Sequence, residues 1–298
     1  MKTTRSVTLG HMNSPIGDFL RPAGYVGPKG LRALAREGSA AVEAARYVRR
    51  RRVDGKARDR TAYAHPHRVH AHEPVLLIPG FMAGDATLLG MAAMLRGAGY
   101  RTYRSQIHVN MGCTREAADR LERRLEAIAI RRGRKVSIVG HSLGGMLARG
   151  LAVRRPDLVH GIVSMGSPIL APGAIHGLLA WDAEMLTRLT RAGFGGLMSE
   201  DCVAGECART SFEEMQQALD PAVGFTSIYS RRDGIIDWRS CLDPAAEPVE
   251  VRTSHLGMAF DPVVFDVVRE ALDRQQVTRA SRASAPDESV PLRPVVNR

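Results

Sequence analysis

The chain has 298 residues, 44% apolar and 24% charged, with a net charge of +11. That length is enough for one large domain or two small ones with a substantial core, and the composition is that of an ordinary soluble globular protein. No run approaches the 18 consecutive apolar residues of a membrane-crossing helix, and the first twenty residues lack the apolar stretch of a secretory signal, so the expected location is the cytoplasm, at most peripheral to a membrane.

The charge is uneven. Residues 1–73 carry 15 Lys/Arg against 6 Asp/Glu, residues 74–275 carry 23 of each, and residues 276–298 carry 4 against 2. The basic excess therefore belongs to the two ends. Residues 1–30 are rich in Gly and Pro and read as irregular. Residues 31–53 have helical spacing, with Leu31, Leu34, Ala35, Val42, Ala45 and Val48 on one face. The Arg49–Arg52 run reads first as a solvated helix end. An anionic membrane surface is the sharper alternative, and no nucleic-acid motif accompanies it. Residues 54–73, which hold His65, His67, His70 and His72, read as a polar linker.

From residue 74, apolar runs suited to buried parallel strands alternate with helical segments. Strands are expected at 74–78, 100–105, 135–139, 161–165, 225–230 and 248–252. Helices are expected at 85–97 with Asp85 as N-cap, at 114–132 capped by Thr114 with a stripe of Ala118, Leu121, Leu125 and Ile128, and at 143–154 and 262–274. This alternation predicts an α/β fold with a mostly parallel sheet covered on both faces. The expected organisation is a basic N-terminal arm with one helix and a linker (1–73), a main domain (74–278) and a disordered tail (279–298). Four cysteines, Cys113, Cys202, Cys207 and Cys241, lack zinc-type spacing and are expected to be reduced. Cys202 and Cys207 are close enough to bridge within a loop if the chain is exported.

The strongest chemical signal is Gly140-His141-Ser142-Leu143-Gly144, a G-x-S-x-G motif between a strand and a helix. A serine hydroxyl attacks a carbonyl only when a base takes its proton and when it stands clear of the sheet. A sharp strand-to-helix turn meets the second need, and a later histidine meets the first. His255 is the only histidine after residue 176, and it follows the last expected strand. Two carboxylates, Asp233 and Asp237, follow the strand at 225–230, where an acid that orients the base belongs.

With LLIPGF, GHSLGG, SRRDGIID and SHLGM in that order, residues 74–275 resemble the α/β-hydrolase family, and within it the bacterial lipases and esterases. The resemblance implies an α/β-hydrolase fold with Ser142 as nucleophile, His255 as base and Asp233, rather than Asp237, as acid. The backbone N–H groups of Phe81 and Leu143 would form the oxyanion hole, and His141 is given no catalytic part. It also implies a helical cap at about 169–222, whose apolar residues suit the acyl chain of a small or lipid-like ester. No metal or cofactor is required. Acyl transfer or amide hydrolysis by the same residues is an alternative, as is a non-catalytic scaffold binding anionic partners through the basic arm.

Overall fold

The computed structural model describes residues 16–60 and 73–284. The four linker histidines and the last part of the tail lie outside the described residues. Strands β1 (Pro74–Ile78), β2 (Arg101–Arg104), β3 (Val136–His141), β4 (Val159–Met165), β5 (Gly224–Tyr229) and β6 (Glu247–Glu250) form one sheet in the order β2-β1-β3-β4-β5-β6. Every neighbouring pair is parallel. The helices are α1 (Gly30–Glu37), α2 (Ala40–Arg60), α3 (Leu89–Gly97), α4 (Thr114–Arg132), α5 (Leu143–Arg154), α6 (Gly177–Arg191), α7 (Glu206–Met215) and α8 (Pro262–Ser284).

Strand alternation divides the core. Val75, Leu77, Val139 and Val163 turn to one face, where Leu95 of α3 and Val264, Val268 and Leu272 of α8 cover them. Leu76, Ile78, Ile138 and Ile162 turn to the other, against Leu121 and Leu125 of α4 and Leu147 and Leu151 of α5. The central strands β1, β3 and β4 are buried along their whole length, so both faces carry apolar residues, without a break in β1 and interrupted by serine and histidine in β3 and β4. A register row runs Ile78–Gly140–Ser164–Ser227–Pro248 across the sheet. It sets the C-terminal ends of β1, β3, β5 and β6 level, and the loops beyond them leave from one edge.

Two expected caps are not caps. Gly84 precedes the 3-10 turn at Asp85–Leu88, while the Asp85 carboxylate accepts from the Ser105 and Gln106 N–H groups and so braces the loop after β2. Cys113, not Thr114, holds the N-cap position of α4. The last helix also outruns its expected end at 274 and reaches Ser284.

The N-terminal region departs furthest from its sequence pattern. It forms two helices, not one, broken at Gly38–Ser39, and the expected apolar face points outward: Leu31, Val42 and Val48 are all exposed. The face turned to the body carries Ala33, Glu37, Glu43 and Tyr47. Glu43 is 1% exposed, accepting from the Ser254 N–H at 2.9 Å and the Ser254 hydroxyl at 2.5 Å. Arg46 and Arg50 pair with Asp261 and Asp266 at 2.8 and 2.5 Å, so two of the arm's cations face carboxylates at the start of α8. The body is shaped to receive the arm. A Cβ at Gly234 would lie 2.1 Å from the Ala33 carbonyl oxygen, and one at Gly257 would lie 1.8 Å from a Glu43 carboxylate oxygen. No described helix is long and apolar enough to cross a membrane.

Glu43→Ala strands the buried Ser254 N–H and hydroxyl. Two hydrogen bonds to a charged acceptor are lost, so the unfolding free energy should fall by about 3 kcal/mol, read as a lower denaturant midpoint at unchanged slope.

Candidate active site

Ser142 caps α5 at the C-terminal end of β3, with φ 52° and ψ −120°. A non-glycine residue at positive φ is strained by about 1–3 kcal/mol and persists only where its surroundings hold it. Here the Ser142 N–H donates to the Met165 carbonyl at 2.8 Å, and the first turn of α5 begins at once, with the Ser142 carbonyl accepting from the Gly145 N–H at 3.0 Å. The flanking glycines are steric requirements. A Cβ at Gly140 would lie 2.3 Å from the Gly144 carbonyl oxygen, one at Gly144 2.2 Å from the Ile78 carbonyl oxygen, and one at Gly145 2.0 Å from the Ser167 hydroxyl. Strand β3 and helix α5 thus meet at backbone contact, and the serine stands at the apex.

His255 follows β6 and Asp233 follows β5. The structure brings them together: His255 Nδ1 lies 2.7 Å from Asp233 Oδ2, with both residues buried. The other Asp233 oxygen accepts from the Ile235 and Ile236 N–H groups at 2.8 and 2.9 Å, so both carboxylate oxygens are engaged. Asp237 does not reach the histidine. It caps the 3-10 turn Trp238–Cys241 through the Arg239 N–H and accepts from the Val26 N–H at 3.1 Å. The His255 ring lies over Gly166, where a Cβ would be 3.1 Å from Nδ1, and Gly166 follows the Met165 that accepts from Ser142. Burial alone would push the His255 pKa down. The charge and hydrogen bond of Asp233, with the charge of Glu37 behind them, outweigh it and hold the pKa above its ordinary value of 6.5.

Phe81 follows the Pro79-Gly80 turn beyond β1. Among the described residues, neither the Phe81 nor the Leu143 N–H donates a hydrogen bond. The turn is fixed by Asn110, 4% exposed, whose side chain donates to the Pro79 carbonyl at 3.0 Å and whose own carbonyl accepts from the Met82 N–H at 2.9 Å. Ser142, Leu143 and Phe81 line one apolar cavity, closed by Leu179 and Ala183 of α6, Met198, Val203, and Phe212 and Met215 of α7. The insertion after β4 is thus helical and forms a wall of this cavity. Ile16 and Leu20, ahead of α1, complete that wall.

Three further residues support these side chains. Glu37 accepts from the Gly234, His255 and Leu256 N–H groups at 2.9, 3.0 and 3.0 Å, so one carboxylate clamps the Asp233 loop to the His255 loop. Glu43 holds Ser254, the residue before the histidine. His141, next to the serine, donates from Nε2 to the His255 carbonyl at 3.0 Å; burial, with His255 beside it, drives its pKa down to about 3 and keeps it neutral. The one sequence cue to the two glutamates is that they are the only acids between residues 19 and 53 of a strongly basic arm.

A family model described as "alpha/beta hydrolase fold" matches residues 95–194. No curated protein sequence matches the chain. Among solved structures the chain is similar to the mature Bacillus licheniformis lipase BlEst2, at 14% identity over 70% of this chain and 94% of that one, with a TM-score of 0.53. Against the propeptide form of that lipase the identity is 15% and the TM-score 0.55, and the match covers 70% of this chain and about half, 51%, of the other. One of the metagenome-derived lipolytic enzymes described as LipS and LipT matches at 14% identity, 70% and 95% coverage and a TM-score of 0.50.

Asp233→Asn removes the charge that opposes burial at His255. Titration of the His255 imidazole by NMR should then give a pKa below 6.5, where the wild type gives one above it.

Proposed function

We propose that this chain, a member of the α/β-hydrolase superfamily by its fold, is a serine hydrolase that cleaves carboxylic esters with apolar acyl groups. The observation that carries this reading is the buried 2.7 Å contact between His255 and Asp233, at the sheet edge from which the strained Ser142 projects. Lipases and lipolytic enzymes among the structural neighbours favour esters as the substrate class, and so does the apolar lining of the cavity.

In this mechanism His255 takes the Ser142 proton as the hydroxyl oxygen attacks the ester carbonyl. Asp233 holds the imidazole so that Nδ1 keeps its proton and Nε2 is the base, and it stabilises the imidazolium once formed. The carbonyl oxygen becomes an oxyanion and accepts from the Phe81 and Leu143 N–H groups, each contributing about 3–4 kcal/mol if it matches measured donors. The tetrahedral adduct collapses, His255 gives its proton to the departing alkoxide, and Ser142 is left acylated. Water, deprotonated by His255, attacks the acyl carbonyl by the same geometry; the second adduct collapses, His255 returns the proton to the Ser142 oxygen, and the acid is released. The neutral His141 keeps a second positive charge away from the imidazolium.

The test is hydrolysis of chromogenic acyl esters from C2 to C16 by wild type and Ser142→Ala. Wild-type turnover that falls by about 10⁵–10⁶-fold in Ser142→Ala supports the reading; equal rates in the two proteins overturn it. An added alcohol that captures the acyl group in preference to water would identify acyl transfer instead of hydrolysis.

The base must be neutral to act, so the acid limb of the rate profile follows the His255 pKa. Glu37→Gln removes one charge that raises that pKa. The acid limb of kcat/KM should therefore move to lower pH, with kcat at the alkaline plateau reduced because a neutral amide holds the two loops less tightly than the carboxylate of Glu37 does.

A further inference from the structure

Three of the chain's four cysteines converge on one another. Cys113 holds the N-cap position of α4, Cys202 ends the 3-10 turn Glu200–Cys202, and Cys207 sits in the first turn of α7. Their sulfur atoms all lie within 4.8 Å of one another, and Cys113 Sγ and Cys207 Sγ are 3.6 Å apart. We propose that Cys113, Cys202 and Cys207 form a binding site for a thiophilic d¹⁰ ion of the zinc type, which ties the cap to the body of the fold.

The argument is first geometric. Zinc holds thiolate sulfurs at about 2.3 Å in a tetrahedron, which separates them by about 3.8 Å. The Cys113–Cys207 spacing of 3.6 Å is close to that value, and the other two spacings, at most 4.8 Å, are within reach of the same centre. A covalent bridge would draw one pair to about 2.05 Å and leave the third sulfur unused, and all four cysteines are free thiols. The three segments are separate in sequence, so their meeting is a product of the fold. It falls on a seam, since Cys113 opens a helix of the body while Cys202 and Cys207 belong to the insertion. All three are half-buried, so a water molecule can complete the tetrahedron.

Burial, with the neighbouring thiols, holds the Cys207 thiol up at about 12, and Cys202 is also raised. On binding, each S–H bond breaks, each sulfur donates its pair to the ion, and the three protons pass to the buffer. Cys202 and the adjacent Val203 line the cavity beside Ser142. An ion here would fix that wall against α4 without touching the reacting atoms. The site rests on sulfur positions alone and stands whether or not the chain hydrolyses esters.

The experiment uses the full chain, purified with a non-thiol reductant and freed of metal. Cadmium and zinc are titrated in separately. The expected result is one equivalent bound per chain, an ultraviolet thiolate-to-cadmium band, and a higher Tm. Cys113→Ser and Cys207→Ser should weaken binding by at least about 10- to 100-fold, the loss known for groups that merely support a ligand, while Cys241→Ala leaves it unchanged. To guard against misfolded variants, alkylation of the wild type is followed by mass spectrometry: zinc should slow the labelling of Cys113, Cys202 and Cys207 together. No bound equivalent, no band, or labelling indifferent to zinc would overturn the proposal. A Cys113–Cys207 disulfide in the freshly isolated, unreduced protein would also overturn it.

Discussion

The arrangement at the sheet edge depends on carboxylates accepting from backbone N–H groups. The loops after β5 and β6 carry only the short 3-10 turns Trp238–Cys241 and Leu256–Ala259, so the N–H groups of Gly234, Ser254, His255 and Leu256 have no ladder to satisfy them. Glu37 and Glu43 answer four of these N–H groups and one hydroxyl from outside the sheet. Because Glu37 reaches both loops, it sets the distance between them, and the Asp233–His255 contact inherits its geometry from that clamp. The arm that looks like a basic appendage is thus a structural part of the site.

The serine turn is held in a different way. There the constraint is steric: Gly140 and Gly144 allow strand, turn and helix backbones to touch, Gly145 makes room for the Ser167 side chain, and the positive φ of Ser142 is what remains when every neighbouring position is fixed. Strain at the serine and charge around the histidine therefore have independent supports, one from close packing and one from hydrogen bonds. Asn110 does for the Pro79–Met82 turn what the glutamates do for the later loops.

The inner strands were legible because buried parallel strands leave apolar runs; the edge strands β2 and β6 are largely exposed, yet each of the six lies within two residues of its expected place. The serine turn was legible because its glycines are demanded by contact. Asp233 could be separated from Asp237 only by resemblance; in the structure the two differ by what faces them, an imidazole on one side and the Arg239 and Val26 N–H groups on the other. The N-terminal face was misread for a physical reason. Periodicity assumes that helices dock through an apolar stripe, whereas α1 and α2 dock through the carboxylates of Glu37 and Glu43 with Ala33 and Tyr47 beside them and leave Leu31, Val42 and Val48 outside. The clustering of Cys113 with Cys202 and Cys207 joins segments about 90 residues apart, a separation invisible to spacing rules written for adjacent ligands.

The contacts between Glu37 or Glu43 and the histidine loop span 211 to 219 residues of sequence. During synthesis the acceptors emerge 211 to 219 residues ahead of their donors and wait for them. A waiting carboxylate remains hydrated, whereas a waiting apolar anchor would offer itself to other chains. Joining positions so distant also carries one of the largest loop-closure costs available to this chain. The histidine loop should accordingly be among the last parts to lock, so that a nascent or partly folded chain holds its serine turn before it holds a competent base.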